Sequence, residues 1–306
     1  MWVTSSLATA KTPTIAALGN FDGVHRGHRQ VIEPIVTAAQ PDCISTVVTF
    51  QPHPQEFFSG QSRPLLTPIA EKVECLRSIG VEQLVLLPFD RDLASLSPRR
   101  FVESILVNQL RVQQIRVGQD FCFGHKRSGS SADLQAIAAS FGIAVEIVPL
   151  FTENNQRISS SAIRKALEFG EVTEATRLLG RPYTLVGEVV YGQQIGRTID
   201  FPTANLTVPA EKFLPRRGVY CVWVEGAEVD RIAGVMNLGM RPTVNGLAQT
   251  IEIHLLDWSG DLYGKTLTVS LEKFLRPEQK FDSLDALKQQ IQRDADQARS
   301  ILSTRA

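Results

Sequence analysis

Between residues 14 and 150, short apolar runs alternate with stretches of helical periodicity, and that alternation admits few folds. "TIAAL" (14–18), "CISTVVTF" (43–50), "QLVLLPF" (83–89), "QIRVG" (114–118) and "AVEIVPL" (144–150) read as strands. Helices are predicted between them: near 28–39; over 69–80, where Ile69, Val73, Leu76 and Ile79 share a face; over 97–110, which opens Ser-Pro; and over 131–142. Repeated strand–helix units predict a parallel sheet covered on both faces, the Rossmann-like α/β arrangement.

Past residue 158 the pattern changes. "SSSAIRKALEFG" and "EVTEATRLLG" read as two short helices, each closed by glycine. From "RPYTLVGEVVYG" onward, short alternating strands with many glycines predict a compact antiparallel β-barrel. A last helix is predicted over 284–301, with Leu284, Leu287, Ile291, Ala295, Ala298 and Ile301 on one stripe and Asp282 or Ser283 as its cap. The fold class is α/β, with domains at 1–182 and 183–306.

The formal net charge is zero, which argues against a broad electrostatic grip on a nucleic-acid backbone. No run approaches the ~18 apolar residues of a membrane span, and the first residues do not read as a secretion signal. Cys43, Cys75, Cys122 and Cys221 form no CxxC pair and read as reduced thiols of a cytoplasmic protein.

"LGNFDGVHRGHRQVI" (18–32) places His25 and His28 where a strand hands over to a helix. The carboxyl ends of strands in an open α/β sheet bind ligands, and a helix start attracts anions. Gly27 removes a side chain between the histidines, and two imidazoles there suit phosphate oxygens. Spacing alone leaves two other readings open. One is a zinc site, for which His53 is the nearest third ligand. The other is an ordinary surface turn. In "ISSSAIRKAL" (158–167), a serine cluster precedes Arg164 by about one turn, which suits a polyphosphate or an N-cap.

Taken in order, "GNFDGVHRGH", "TFQPHP", "VGQDFCFGHKRSG" and "ISSSAIR" resemble the adenylyltransferase half of the bacterial bifunctional riboflavin kinase/FAD synthetase family. "GRTIDFPTANL", "GVYCVWV", "GVMNLGMRPTVNG" and "IEIHLLDWSGDLYGK" resemble its kinase half. The likeness runs from about residue 14 to about residue 300. It implies a nucleotidyltransferase domain that makes FAD and pyrophosphate from FMN and ATP, and a barrel that makes FMN from riboflavin and ATP.

By that resemblance His25 and His28 are catalytic contacts to the ATP phosphates, with Asn20 beside them. Ser159, Ser160 and Arg164 would hold the departing phosphates; Asp120 and Phe123 lie in a flavin-side loop. Asp22, Gly196 and Arg197 are assigned to substrate binding. In the kinase half Thr203 and Asn205 would ligate Mg2+, Glu252 would be the general base, and Arg276 would lie in a mobile segment near the flavin. Asp200 departs from the family, which usually has glycine there. Expected partners are riboflavin, FMN and ATP, with weak self-association and neither nucleic acid nor membrane.

"GDLYGKT" (260–266) is similar to a P-loop, but it has three residues between the glycines and leads into a strand; it reads as a hairpin turn. Competing readings are an enzyme with a degenerate kinase barrel, and a nucleotide-binding regulatory module. Class I aminoacyl-tRNA synthetases share the histidine signature, but this second half resembles no anticodon domain.

Overall fold

The computed structural model describes residues 1–38, 42–153, 156–192, 201–226, 229–243 and 246–303. They fall into two compact units, Met1–Ser160 and Ser161–Ala306.

In the first unit the strands are β1 (Trp2–Thr4), β2 (Thr14–Leu18), β3 (Ile44–Gln51), β4 (Gln83–Pro88), β5 (Val112–Gly118), the short pair β6 (Cys122–Phe123) and β7 (Gly129–Ser130), β8 (Ala144–Val148), and the small hairpin β9 (Thr152–Glu153) and β10 (Gln156–Arg157). The helices are α1 (Arg26–Thr37), α2 (Pro54–Ser59), α3 (Ile69–Ile79), α4 (Arg91–Ser95), α5 (Pro98–Phe101), which runs on as a π-helical stretch Val102–Gln109, and α6 (Ser131–Ala139). The main sheet has the order β1-β4-β3-β2-β5-β8, with every pairing parallel.

The central strand β2 is buried along its whole length because both faces are covered. On β2, Ile15 and Ala17 join the core beneath α1 and α3, which includes Ile32, Ile35 and Leu76. Ala16 and Leu18 point to the opposite core, with Phe101, Leu106 and Leu134. Helix α3 ends where the sequence predicts, at Gly80, whose φ of +98° needs a residue without a Cβ. Strand β1 and helices α2 and α4 are additional to the predicted elements; each is six residues or shorter, too brief for a periodic signal.

The second unit begins within α7 (Ser160–Phe169) and continues through α8 (Val172–Leu179) to the strands β11 (Tyr183–Val190), β12 (Ala204–Thr207), β13 (Gly218–Gly226), β14 (Val229–Thr243), β15 (Gly246–Leu255) and β16 (Thr266–Arg276), then α9 (Leu284–Ser303). The strands close into an antiparallel barrel ordered β11-β12-β15-β14-β13-β16. Tyr220, Val222, Met236, Leu238, Ile253, Val269 and Leu271 are fully buried, and the strand register puts them on one face. On the opposite face Val219, Cys221 and Val235 pack under Ala295, Ala298 and Leu302 of α9.

Two expectations are corrected here. The buried face of α9 starts only at Asp294, and Leu284 is 62% exposed, so the stripe does not extend to the helix start. Ser283 is the cap, its Oγ accepting from the Ala286 N–H at 3.2 Å. The segment around "GDLYGKT" is not a hairpin: β15 lies between β12 and β14, β16 between β13 and β11, so this loop joins strands that are not neighbours. Among the described residues no helix is long and apolar enough to cross a membrane.

Candidate active sites

Strand order reverses at β2 in the first sheet, with β3 and β4 on one side and β5 and β8 on the other. A crevice opens at the carboxyl ends of the strands at such a point. The chain leaves β2 there through Gly19–His25 and enters α1.

This loop is held in an unfavourable backbone shape. Phe21 and the β-branched Val24 have φ of +47° and +42°, and Gly23 has +91°. Side chains so placed cost on the order of 1–3 kcal/mol each unless their surroundings fix them. Here the surroundings do. Asp22 Oδ1 accepts from the Thr67 N–H at 3.1 Å, and the Gly23 N–H donates to Thr67 Oγ1 at 2.9 Å. Ser160 Oγ donates to the Asp22 carbonyl at 2.7 Å. Lys72 Nζ and Thr49 Oγ1 both donate to the Asn20 carbonyl, at 2.8 and 3.2 Å. Lys72 is 5% exposed; burial holds its ammonium below the ordinary lysine range, and the Asp22 carboxylate opposes that shift. Asn20 Oδ1 is buried without a hydrogen-bond partner among the described residues.

His25 is the N-cap of α1, 5% exposed, with its Nδ1 accepting from the His28 N–H at 3.2 Å. That bond makes Nδ1 the acceptor and, in the neutral ring, leaves the proton on Nε2. The two imidazoles stack with centroids 3.5 Å apart and planes 16° apart, and the Phe21 ring meets His28 edge-on at 5.3 Å. Two ring donors are thus fixed over the start of a helix, where the dipole favours an anion.

The other expected residues are placed as follows. Ser159 adjoins Ser160 and is partly exposed. Arg164 is in the second unit, its guanidinium 5.8 Å from the Phe213 ring centroid. Asp120 pairs with Arg157, both well exposed. Phe123 is packed into the core with Phe101 and Phe121. His53 serves as a helix cap: its Nδ1 accepts from the Gln55 N–H at 3.1 Å in a capping box on α2, and burial, then Arg63, holds its imidazole below the ordinary range. Among the described residues no group of three or more His, Cys, Asp or Glu side chains is arranged to hold a metal ion.

At the carboxyl ends of β3 and β4, Phe50, Phe57, Phe58 and Phe89 form a chain of edge-on rings, with Phe58 69% exposed. Sequence reading missed this cluster and Lys72. The signal for Lys72 was present: it stands three after Ile69 and four before Leu76, a lysine on the apolar face of α3.

In the second unit, Glu252 on β15 lies opposite Asn205 on β12 and Asn237 on β14. Ile251 and Ile253 point inward, so Glu252, Asn205 and Asn237 share the outward face in one cross-strand row. Thr203 stands two residues before Asn205, just ahead of β12. The Asn205 amide sits directly over Gly192, where any side chain would collide with it. A cavity of about 210 Å³ opens beside Thr203, lined also by Pro202, Trp258, Asp261 and Tyr263. Arg276 is clamped onto α9: its Nε and Nη2 bond Asp294 at 3.0 and 2.8 Å, with the two side chains only 19% and 4% exposed. Gly196, Arg197 and Asp200 lie outside the described residues.

The family described as FAD synthetase matches residues 7–162, and the family described as riboflavin kinase matches 179–302. The bifunctional riboflavin kinase/FMN adenylyltransferase of Escherichia coli K12 is 42% identical over 282 residues, covering 92% of this chain and 90% of its own. The chain belongs to the bifunctional riboflavin kinase/FMN adenylyltransferase family. A member from Haemophilus influenzae is 40% identical over 289 residues, covering 94% of each chain. A solved structure described as a macrolide-efflux protein from Streptococcus pneumoniae has a TM-score of 0.86 at 31% identity, covering 97% of this chain and 98% of its own. That structure shares the fold; the efflux description stays with that protein. Within the bifunctional riboflavin kinase/FMN adenylyltransferase family the two matched segments follow the order of the parallel sheet and the barrel.

Proposed function

We propose that this chain phosphorylates riboflavin to FMN with ATP in residues 183–306 and adenylylates FMN with ATP in residues 1–182, releasing pyrophosphate, in the cytoplasm. The observation that carries the reading is the stacked His25–His28 pair at the switch point, in a chain whose halves match the two families in sequence order.

In the adenylyl transfer an FMN phosphate oxygen attacks the α-phosphorus of ATP, and the bond from that phosphorus to the bridging oxygen breaks. The protein supplies no covalent intermediate; it orients the reactants and stabilises charge on the α- and β-phosphates. His25 donates from Nε2, because Nδ1 is occupied as the cap. His28 donates from the adjoining ring, and Asn20 offers its amide. Ser159, Ser160 and Arg164 receive the leaving pyrophosphate. Ser160 also anchors the Asp22 carbonyl and so couples the two motifs of the site. The exposed Phe58 ring, backed by the partly buried Phe50, Phe57 and Phe89, offers an apolar surface suited to a flat isoalloxazine, with Asp120 and Phe123 on the flavin-side loop.

In the kinase half Glu252 accepts the proton of the ribityl 5′-hydroxyl as that oxygen attacks the γ-phosphorus of ATP; the bond from that phosphorus to the β–γ bridging oxygen breaks and ADP leaves. Asn205 carries a hard oxygen donor on the outward face beside Glu252, and Thr203 two residues earlier carries another, the donor chemistry that Mg2+ prefers. Mg2+, when bound, neutralises charge on the ATP phosphates. Asn237, next to Glu252 on its other side, is placed to orient the carboxylate or the substrate hydroxyl. Gly196, Arg197 and Arg276 complete the proposed substrate-binding set.

The test is incubation with riboflavin, ATP and Mg2+, with FMN and FAD resolved by chromatography. Both products are expected from the unmodified chain. His28→Ala lowers FAD formation by about 10²–10³ and leaves FMN formation intact. Glu252→Gln abolishes FMN formation, and FAD still forms from supplied FMN. Loss of both activities in each folded variant would refute the division into two sites.

A further inference from the structure

We propose that His254 is a positioning residue of the kinase unit: its imidazole holds the Pro202 carbonyl and so fixes the segment that presents Thr203 and Asn205. The inference rests on the reading above that those two residues serve magnesium-bound ATP.

His254 Nδ1 lies 2.9 Å from the Pro202 carbonyl oxygen. A carbonyl only accepts, so Nδ1 is the donor and carries a proton. The ring also meets Phe201 edge-on, with centroids 5.5 Å apart. One side chain therefore engages two consecutive residues just ahead of β12. The β12–β15 ladder pairs Ala204 with Ile253 and Asn205 with Glu252. Continuing that register by one position puts His254 opposite Thr203. At Pro202 the backbone has no N–H to offer a partner strand. Its carbonyl is the handle that remains, and the imidazole takes it. Two residues along the same strand face is Glu252, so β15 carries the base and the clamp together. Pro202 and Thr203 both line the cavity described above, so a shift of this segment reshapes the space beside the donor oxygens.

The bond requires a donor at the Nδ1 position. Asparagine places its Nδ2–H close to that point, and glutamine places its amide one bond further out. The experiment uses full-length His254→Asn, His254→Gln, His254→Leu and Thr203→Ala. FMN formation is measured against Mg2+ and ATP concentration, with FAD formation from supplied FMN as the internal control. Hydrogen–deuterium exchange of the peptide covering 201–207 is measured on the protein alone, with neither metal nor nucleotide. In His254→Leu and His254→Gln we expect the Mg2+ and ATP requirements to rise about tenfold, with kcat changed less, and exchange in 201–207 to quicken by about tenfold. His254→Asn returns all three toward the unmodified protein. Unchanged exchange and unchanged Mg2+ dependence in His254→Leu, with Thr203→Ala impaired, overturns the positioning role alone. An asparagine variant no better than leucine overturns the hydrogen bond as its cause. A Thr203→Ala variant with normal Mg2+ and ATP dependence overturns the magnesium reading beneath it.

Discussion

Gly27→Ala tests whether the close packing of the histidine pair sets the chemistry. A Cβ at Gly27 would lie 3.3 Å from His25 Cε1 and Nδ1, and 3.5 Å from Phe151 Cβ. The first distance is a few tenths of an ångström too tight. His25 has little room to shift, because its ring is stacked on His28 at 3.5 Å and His28 abuts Phe21. The methyl therefore tilts the His25 ring. In stability the effects cancel. Alanine gains about 1 kcal/mol over glycine inside a helix. A weakened His25 cap on the His28 N–H loses about 1 kcal/mol. In catalysis they do not cancel. A misplacement of about 1 Å at a reacting centre can cost ~10², so a few tenths of an ångström costs on the order of tenfold. The assay compares FAD formation from FMN and ATP with FMN formation from riboflavin in one preparation, alongside a thermal melt. The expected result is FAD kcat down about tenfold, FMN formation unchanged, and Tm within about 3 °C. An FAD kcat equal to that of the unmodified protein refutes the reasoning, because the ring would then have moved without consequence. A parallel fall in both activities refutes it differently, by exposing a general folding defect.

Asp294→Asn removes one charge of the buried Arg276–Asp294 pair and leaves the guanidinium unmatched, so the second unit should lose about 3 kcal/mol; denaturant melts followed by kinase activity check this, and an unchanged midpoint contradicts it. Phe58→Ala should raise the KM for FMN about fivefold with little change in stability, because the ring is 69% exposed; an unaltered KM means the flavin does not use it. Lys72 has its ammonium held below the ordinary range by burial, so the unfolded chain binds the extra proton more readily and this residue's cost to stability diminishes as pH rises through its folded value toward about 10.5. Lys72→Met should therefore remove part of the rise in stability on the alkaline side, and melts across pH 7–10 that track the unmodified protein throughout would exclude it.

What the chain discloses in one dimension depends on how its contacts are spaced. The parallel sheet is legible because short apolar runs alternate with helical periodicity; in "TIAAL" Ile15 and Ala17 serve one core and Ala16 and Leu18 the other. Glycine at helix ends marks boundaries, as at Gly80, because the φ there excludes most side chains. The terminal stripe misled for a physical reason: Asp294 takes a buried place through its pairing with Arg276, while Leu284, at the predicted head of the stripe, lies in solvent. A hydrophobic pattern carries no record of a charge neutralised from another strand. The hairpin expected at "GDLYGKT" failed likewise, since strand order is set by pairing across the barrel and not by turn composition.

The two candidate sites differ in the same respect. His25 and His28 fall within one turn, so their stacking follows from a local motif that any reader of the chain meets as a unit. The row in the second unit is assembled from three strands; the family resemblance picks out Glu252 and Asn205, and Asn237 is not among its site residues. Asn237 and His254 have no local signal: one is an asparagine between Met236 and Leu238, the other a histidine two places from Glu252. Their significance comes from register, which sets Asn237 beside the carboxylate and brings the imidazole to the Pro202 carbonyl. A barrel site built by cross-strand rows requires the pairing to be known before its members can be read. A helix-start pair requires only neighbouring residues, so the His25–His28 stack can be anticipated from spacing, whereas Asn237 and the contact of His254 with Pro202 are reached only through register.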